Sequence, residues 1–311
     1  MTATKTETRR LVYVLNPASG RGRYLPAARA AAEAAGADVI HLTERAGECP
    51  EFIAEACLDD PDTHFVVYGG DGTAGEAVNG ILRAGAGERA RLTMMPAGSG
   101  NDFIRGIAAY AVPEGQDALP LDVLCVNGRY VLNMLNIGFD CEVVAQSERL
   151  RRRRLMTNSL SYILGVAGVL AKKKPFTTTV TLGGCRASDG GEETVTDELL
   201  LCAAANLPYC GGGFMAAPAA DPTDGCMDVL IARNMTRRQF IRLVGGYRGG
   251  THVNAETAAV YPQYAQHIVY RQCRSMTLSG VSQICLDGEV IPAGGVRVEV
   301  VPAAIRYVPA V

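Results

Sequence analysis

The stretch VVYGGDGTAGEAVNGI, residues 66–81, passes from an apolar run into Gly69, Gly70, Gly72 and Gly75, with Asp71 and Thr73 among them, and then takes on helical spacing. A strand that ends in glycine and opens a helix suits an anion. Glycine lets backbone N–H groups turn toward a ligand, and the helix N-terminus adds partial positive charge. Gly70-x-Gly72-x-x-Gly75 matches the dinucleotide fingerprint, which asks for an acid about twenty residues on, at the end of the next strand, to bind a ribose hydroxyl. That strand is RLTMMPAGSG, and it ends in Pro96-Ala97-Gly98 without an acid. Asp71 would also set negative charge where a pyrophosphate should lie. The GxxxxGK[ST] phosphate loop is absent as well. A dinucleotide fits poorly here.

Outward from this segment, strand and helix signals alternate. LVYVLNPASG is a strand running into a turn, YLPAARAAAEAAGA a helix, DVIHLT a strand, CPEFIAEACLDD a helix and RLTMMPAG a strand. This alternation predicts a doubly wound parallel sheet, which binds ligands beyond the carboxyl ends of its strands. Three of those ends carry glycine turns: NPASGRG, YGGDGTAG and MPAGSGND. Hydroxyls at Ser19, Thr73 and Ser99 can donate to phosphate oxygens, and Asp71 makes sense beside a Mg²⁺ shared with a triphosphate. After about residue 122 the pattern turns β-rich, with segments such as FTTTVTLGG, ETVTDELLLCAAAN, GCMDVLIAR and VRVEVVPAAIRYV. The expected architecture is a phosphate-binding α/β domain over residues 1–122 and an antiparallel β-domain over 123–292. The segment 293–311 is a candidate to return to the first domain.

Composition narrows the partners. The net charge of −2 gives no global attraction to nucleic acid, so an anionic ligand must be met by local groups. Ten cysteines without a CxxC pair sit mostly in apolar surroundings and read as reduced, buried thiols of a cytoplasmic protein. The N-terminal MTATKTETRR has no apolar core, so no secretion signal is expected. The four histidines show no metal-ligand spacing.

LNPASG, GGDGTAGEAVNG, PAGSGNDFIRG, DPTDGCMDVLI and CLDGEVIP together resemble, in sequence and order, the diacylglycerol-kinase catalytic-domain family, which includes bacterial soluble diacylglycerol kinases and the sphingosine and ceramide kinases. Ser99 stands where that family usually has threonine, and Gly75 where it has a larger residue; neither change removes a needed group. The resemblance implies a nucleotide-binding α/β domain followed by a β-sandwich-like lipid domain. It implies that Asn16, Pro17, Ser19, Gly20, Gly69, Gly70, Gly72, Thr73, Gly98 and Ser99 surround ATP, with Thr43 beside the nucleotide. Asp71 would organise phosphates and Mg²⁺. Glu76, Asn79, Asn101 and Asp102 would brace the loops, though local helix capping explains these four equally.

Phosphoryl transfer to an alcohol needs a carboxylate to take or orient the hydroxyl proton. In QICLDGEVIP the resemblance gives this task to Asp287, with Glu289 in support. Without it, Asp-Gly reads as a hairpin turn. Alternation along a strand would point both acids to one face, unless the glycine turn breaks it. The segment AADPTDGCMDV resembles the family's structural Mg²⁺ site, which maps to the Asp224 carboxylate with the carbonyls of Asp221 and Cys226. Asp228 would be a strut pairing with a charged group across the domain interface. The basic, apolar stretch over 149–174 suits either docking on an anionic membrane or a core-facing helix with solvated ends.

The sequence reading is an ATP-dependent lipid kinase, with diacylglycerol as the first expectation, a lipid hydroxyl entering an interdomain cleft, and the enzyme peripheral at the inner membrane surface. A homodimer through β-domain edge strands is open. So are another lipid alcohol as acceptor, an NAD kinase, and a non-enzymatic nucleotide or lipid sensor.

Overall fold

The computed structural model describes residues 9–139, 141–144, 175–186 and 189–310. The basic, apolar stretch at 149–174 lies outside the described residues. The chain divides into two compact units, the first comprising 1–98, 110–121 and 304–311 and the second 99–109 and 122–303.

In the first unit, strands β1 (Leu11–Leu15), β2 (Val39–Leu42), β3 (His64–Gly69) and β4 (Arg91–Pro96) alternate with helices α1 (Leu25–Ala34), α2 (Glu48–Asp59) and α3 (Asp71–Arg83). Every pairing is parallel, in the order β2-β1-β3-β4. The middle strands are nearly continuous apolar runs, as a sheet covered on both faces requires. Val12, Val14, Phe65, Val67 and Leu92 are fully buried. α3 turns Ala74, Ala77, Val78 and Ile81 inward. Near the C-terminus, Tyr307 pairs in parallel with Leu92, and the Val308 N–H donates to the Leu92 carbonyl at 2.8 Å.

The second unit holds β5 (Leu119–Val126, from Asp122 onward), β6 (Arg129–Val131), β7 (Met134–Gly138), β8 (Phe176–Gly183) and β9 (Glu193–Ala205). They are followed by the short hairpin β10 (Tyr209–Cys210) and β11 (Phe214–Met215), then β12 (Met227–Arg233), β13 (Ile268–Cys273), β14 (Ser275–Ser279), β15 (Gln283–Leu286), β16 (Glu289–Pro292) and β17 (Gly295–Tyr307, to Ala303). Pairings within this unit are antiparallel. β9 is the hub, pairing with β8 along its first half and with β7 and β12 along its second.

The two-residue period of β9 serves two cores. Leu199, Cys202 and Ala204 join the cluster of Val180, Leu182, Val229, Met276 and Val298, while Leu201, Ala203 and Ala205 face Phe240, Leu243 and Tyr270. Phe240 and Leu243 come from α5 (Arg237–Gly249), a helix the sequence indicates. Its start is fixed by a capping box in which Thr236 and Gln239 bond reciprocally.

Two differences from the sequence reading follow. A short helix, α4 (Asp102–Ile107), belongs with the β-rich unit rather than the α/β domain assigned to 1–122. The reason is local: the Asp102 carboxylate accepts the Gly212 N–H at 2.7 Å, and Gly106 packs against Leu207. At the other end, the chain rejoins the first unit at 304, not 293. No helix among the described residues is long and apolar enough to cross a membrane.

Candidate active site

The glycine turns of the first unit follow β1, β3 and β4, whose ends are neighbours in the sheet. After β1, Asn16 organises the turn. Its N–H donates to the Tyr68 carbonyl at 3.1 Å, its Oδ1 accepts the Ala18 N–H at 3.0 Å, and its Nδ2 donates to Thr73 Oγ1 at 2.9 Å. Pro17 and Ser19 lie between Asn16 and Gly20, and the Ser19 N–H returns to the Asn16 carbonyl at 3.0 Å. Tyr24 seals the turn from below. Its hydroxyl donates to the Asn16 carbonyl at 2.6 Å, its ring stacks on Tyr68 at 5.5 Å, and burial pushes its pKa up to about 12. Thr43 extends the pairing of β2 on β1, its N–H donating to the Leu15 carbonyl at 3.0 Å.

The turns touch through backbone. Gly20 has φ +56°, and a Cβ there would stand 2.6 Å from the Ala97 carbonyl oxygen. A Cβ on Gly70 would lie 3.2 Å from Gly98 Cα. The first approach requires glycine, and at the second any side chain would push the turns apart by a few tenths of an ångström. α3 begins at Asp71, inside the glycine turn, with Gly70 as a cap that offers no side chain. The first-turn N–H groups of α3, from Asp71, Gly72 and Thr73, therefore form the positive end of a thirteen-residue helix. Thr73 is buried and Gly72 exposed. Farther along, Asn79 Nδ2 donates to the Gly75 carbonyl at 2.8 Å, a bond inside the helix, while Glu76 is half-buried near Cys49.

This cradle fits a nucleotide's phosphates, since the added Cβ atoms would fill or force apart the turns that form it. It fits Mg²⁺ only as an ion carried in by those phosphates. Asp71 is one carboxylate, and no cluster of three His, Cys, Asp or Glu among the described residues could hold a metal.

In the second unit, Ser99 is exposed, and Asn101 caps α4 in the left-handed region at φ +51°. Asp102 is buried, with Oδ1 accepting Arg105 Nη1 at 2.8 Å and Oδ2 accepting the Gly212 N–H. It braces the β10–β11 hairpin.

Asp287 and Gly288 form the turn between β15 and β16, with φ +46° and +90°. Two positive φ values are the type I′ signature of Asp-Gly. The turn also does something a plain hairpin would not. Asp287 Oδ2 accepts the Leu132 N–H at 2.8 Å, and Oδ1 accepts the N–H groups of Asn133 and Met134, both at 2.9 Å. Three successive backbone donors thus aim one half-buried carboxylate.

Glu289 does not share a face with Asp287. The turn reverses the chain, so Glu289 starts the opposite strand, where it is exposed and ion-paired with Arg129.

The implied Mg²⁺ at Asp224 meets a carboxylate whose two oxygens already have partners. Asp221, whose main-chain carbonyl is the implied ligand, turns its carboxylate into its own turn, Oδ1 accepting the Thr223 N–H at 2.9 Å and hydroxyl at 2.7 Å. Asp224 Oδ1 accepts the Cys226 N–H at 2.8 Å, and its Oδ2 faces Arg186 Nη1 at 3.1 Å. Burial raises the Asp224 pKa in spite of these partners. Asp228, expected to pair with a charged group, instead accepts from the neutral amide of Gln272 at 3.3 Å, beside Tyr270. Burial pushes its pKa up to about 7.

Three residues escaped the sequence reading. Asp122 is buried in β5 and joins two distant segments, Oδ1 accepting the Ala303 N–H and Oδ2 the Gly225 N–H, both at 2.7 Å; burial raises its pKa. Asn133 Nδ2 donates to the Tyr209 carbonyl at 2.7 Å, and Asn206 Nδ2 to the carbonyls of Asp122 and Leu132 at 2.9 and 3.0 Å. These bonds lock both amides, leaving the buried Asn133 and Asn206 Oδ1 atoms as acceptors without a donor among the described residues. The signal was a lone polar residue inside an apolar strand, as in LPLDVLCV, VLNMLN and LCAAAN.

A parallel sheet with glycine turns at its strand ends, together with a β-rich unit presenting an aimed carboxylate, defines a phosphate-handling enzyme in two parts. The profile described as diacylglycerol kinase catalytic domain matches residues 10–125, and the one described as YegS C-terminal NAD kinase beta sandwich-like domain matches 133–308. The chain belongs to the diacylglycerol kinase and YegS-like lipid kinase family, and it is a phosphotransferase with an alcohol acceptor. It is 28% identical over 295 residues to the diacylglycerol kinase of Bacillus subtilis (strain 168), covering 90% of this chain and 89% of the relative. To the "Probable lipid kinase YegS-like" of Shewanella frigidimarina (strain NCIMB 400) it is 24% identical over 279 residues, covering 86% and 83%. A crystal structure of a diacylglycerol kinase from Bacillus anthracis str. Sterne shares the fold with a TM-score of 0.66 and 20% identity, covering 97% of each chain.

Proposed function

We propose that this enzyme transfers the γ-phosphate of Mg·ATP to the hydroxyl of a membrane lipid, diacylglycerol before other lipid alcohols, giving phosphatidate. The observation that carries the reading is Asp287, a carboxylate aimed by three backbone N–H groups at a hairpin turn. The relatives' names, diacylglycerol kinase and lipid kinase, support a lipid acceptor. Backbone N–H groups of the glycine turns and the start of α3 hold the phosphates, with Asn16 fixing Thr73 among them. Asp71 would meet the magnesium that accompanies the nucleotide, an ion that would neutralise phosphate charge. Asp287 takes the proton of the lipid hydroxyl as it becomes the nucleophile. The buried acceptor oxygens of Asn133 and Asn206 suit an ordered water. The substrate resides in a bilayer, so the enzyme works at its surface.

The test is a panel of diacylglycerol, ceramide, sphingoid base and phosphatidylglycerol in mixed micelles, with NAD as a water-soluble control acceptor. Mg·ATP is supplied throughout and products are read by mass. Phosphatidate is expected to dominate. NADP formation without any phosphorylated lipid would refute the reading.

A further inference from the structure

The turn over 221–226 is where a divalent cation is implied, and a guanidinium already bonds the oxygens of Asp224, the one carboxylate of the implied set. Arg186 Nη1 lies 3.1 Å from Asp224 Oδ2, and Nη2 donates to the Asp224 main-chain carbonyl at 3.2 Å. The same Nη1 donates to Gln272 Oε1 at 3.2 Å. One planar cation therefore serves a carboxylate, a carbonyl and an amide oxygen, the hard oxygen donors a magnesium ion would seek. The remaining Asp224 oxygen is bonded to the Cys226 N–H within the turn.

Other bonds show that the turn is held rather than loose. Gly225 donates to Asp122, the Asp122 N–H donates to the Pro222 carbonyl at 2.7 Å, and Asp221 closes on Thr223. Arg186 and Asp224 line a cavity of about 410 Å³ that is also bordered by Arg274. Asp189 lines the same cavity, so two guanidiniums face two carboxylates there. Magnesium could reach Asp224 Oδ2 only by displacing Arg186.

We propose that Arg186 is the resident cation of the 221–226 turn, and that this chain holds the turn without a divalent metal. The side chain does what the ion is implied to do, gathering the turn's oxygens and compensating the charge of a largely buried aspartate. Magnesium is then needed only with the nucleotide.

The experiment is thermal unfolding of the whole chain without nucleotide, after chelation, in EDTA and across a MgCl₂ titration to millimolar levels. Wild type, Arg186→Gln, Asp224→Asn and the double variant are compared. Wild type is expected to melt at the same temperature in EDTA and MgCl₂. Arg186→Gln is expected to melt roughly 2–4 °C lower, because solvent reaches the half-exposed guanidinium and weakens its contacts. The two substitutions should be strongly non-additive, because they remove the same interaction. A saturable rise of the wild-type melting temperature with MgCl₂ that disappears in Asp224→Asn would overturn the proposal. An Arg186→Gln protein as stable as wild type, or strict additivity in the double variant, would overturn it equally. Should Arg186→Gln fail to fold, the wild-type titration decides alone.

Discussion

Replacing Asp287 by asparagine and by alanine separates its two jobs. The carboxylate accepts three backbone N–H groups, two on Oδ1 and one on Oδ2, and the residue sits at φ +46°. Asparagine tolerates that backbone, and its carbonyl keeps the bonds from Asn133 and Met134. Its amide then faces the Leu132 N–H, donor against donor. Hydrogen bonds to a charged group contribute about 1.5–3 kcal/mol each, and the low end applies where water reaches the site. Asp287→Asn should therefore cost about 1–2 kcal/mol. Alanine loses all three bonds and adds left-handed strain of about 1 kcal/mol, for a total of about 5–6 kcal/mol. Removal of a general base lowers kcat by about 10²–10⁴-fold, and both variants should show this alike. Urea unfolding gives the first comparison. Steady-state kinetics with micellar diacylglycerol, alongside binding of a fluorescent nucleotide, gives the second, with nucleotide affinity largely unchanged. An asparagine variant with wild-type kcat would refute the base assignment. Equal destabilisation of the two variants would refute the account of the three-donor cradle.

Two other outcomes are expected from the same geometry. Gly20→Ala puts a methyl group 2.6 Å from the Ala97 carbonyl and forces alanine into φ +56°; the nucleotide KM should rise about tenfold or more, with kcat for a saturating lipid changed less. Asp228 is held at about 7 against an unfolded value near 3.8, so the folded state keeps a proton the unfolded chain has released. Its contribution is intact below the unfolded pKa, declines as pH rises from there through about 7, and costs on the order of 4 kcal/mol above that. Asp228→Asn should flatten this slope and gain most at pH above 7, read from urea midpoints across the range; parallel slopes in the two proteins would count against the assignment.

The first unit was legible because its information is local. Apolar runs of β1, β3 and β4, alanine-rich α1 and the glycine turns each declare themselves within about ten residues. The β-rich unit was legible as a class, yet its pairings were not. β9 serves three neighbours at once, and only the finished sheet shows that Cys202 and Leu201 face different cores. α4 is one and a half turns long, too short to declare a period, and its allegiance depends on one bond to Gly212 more than a hundred residues away. The site divides in the same way. Asp287 could be picked from its motif, whereas its three donors at 132–134 carry no side-chain signature, because backbone N–H groups look alike in any sequence. Arg186 was invisible for a related reason: a charged residue in a hairpin reads as solvated until its partners are placed.

Because the Asp287 carboxylate is gripped by peptide N–H groups, its orientation rests on the backbone of residues 132–134 rather than on donor side chains. A proline at 132, 133 or 134 would remove one donor outright, whereas any other residue keeps its N–H. Burial sets the other limit: Leu132 and Met134 are core side chains and the Asn133 amide holds the Tyr209 carbonyl, so the strand that grips the carboxylate is itself pinned by packing.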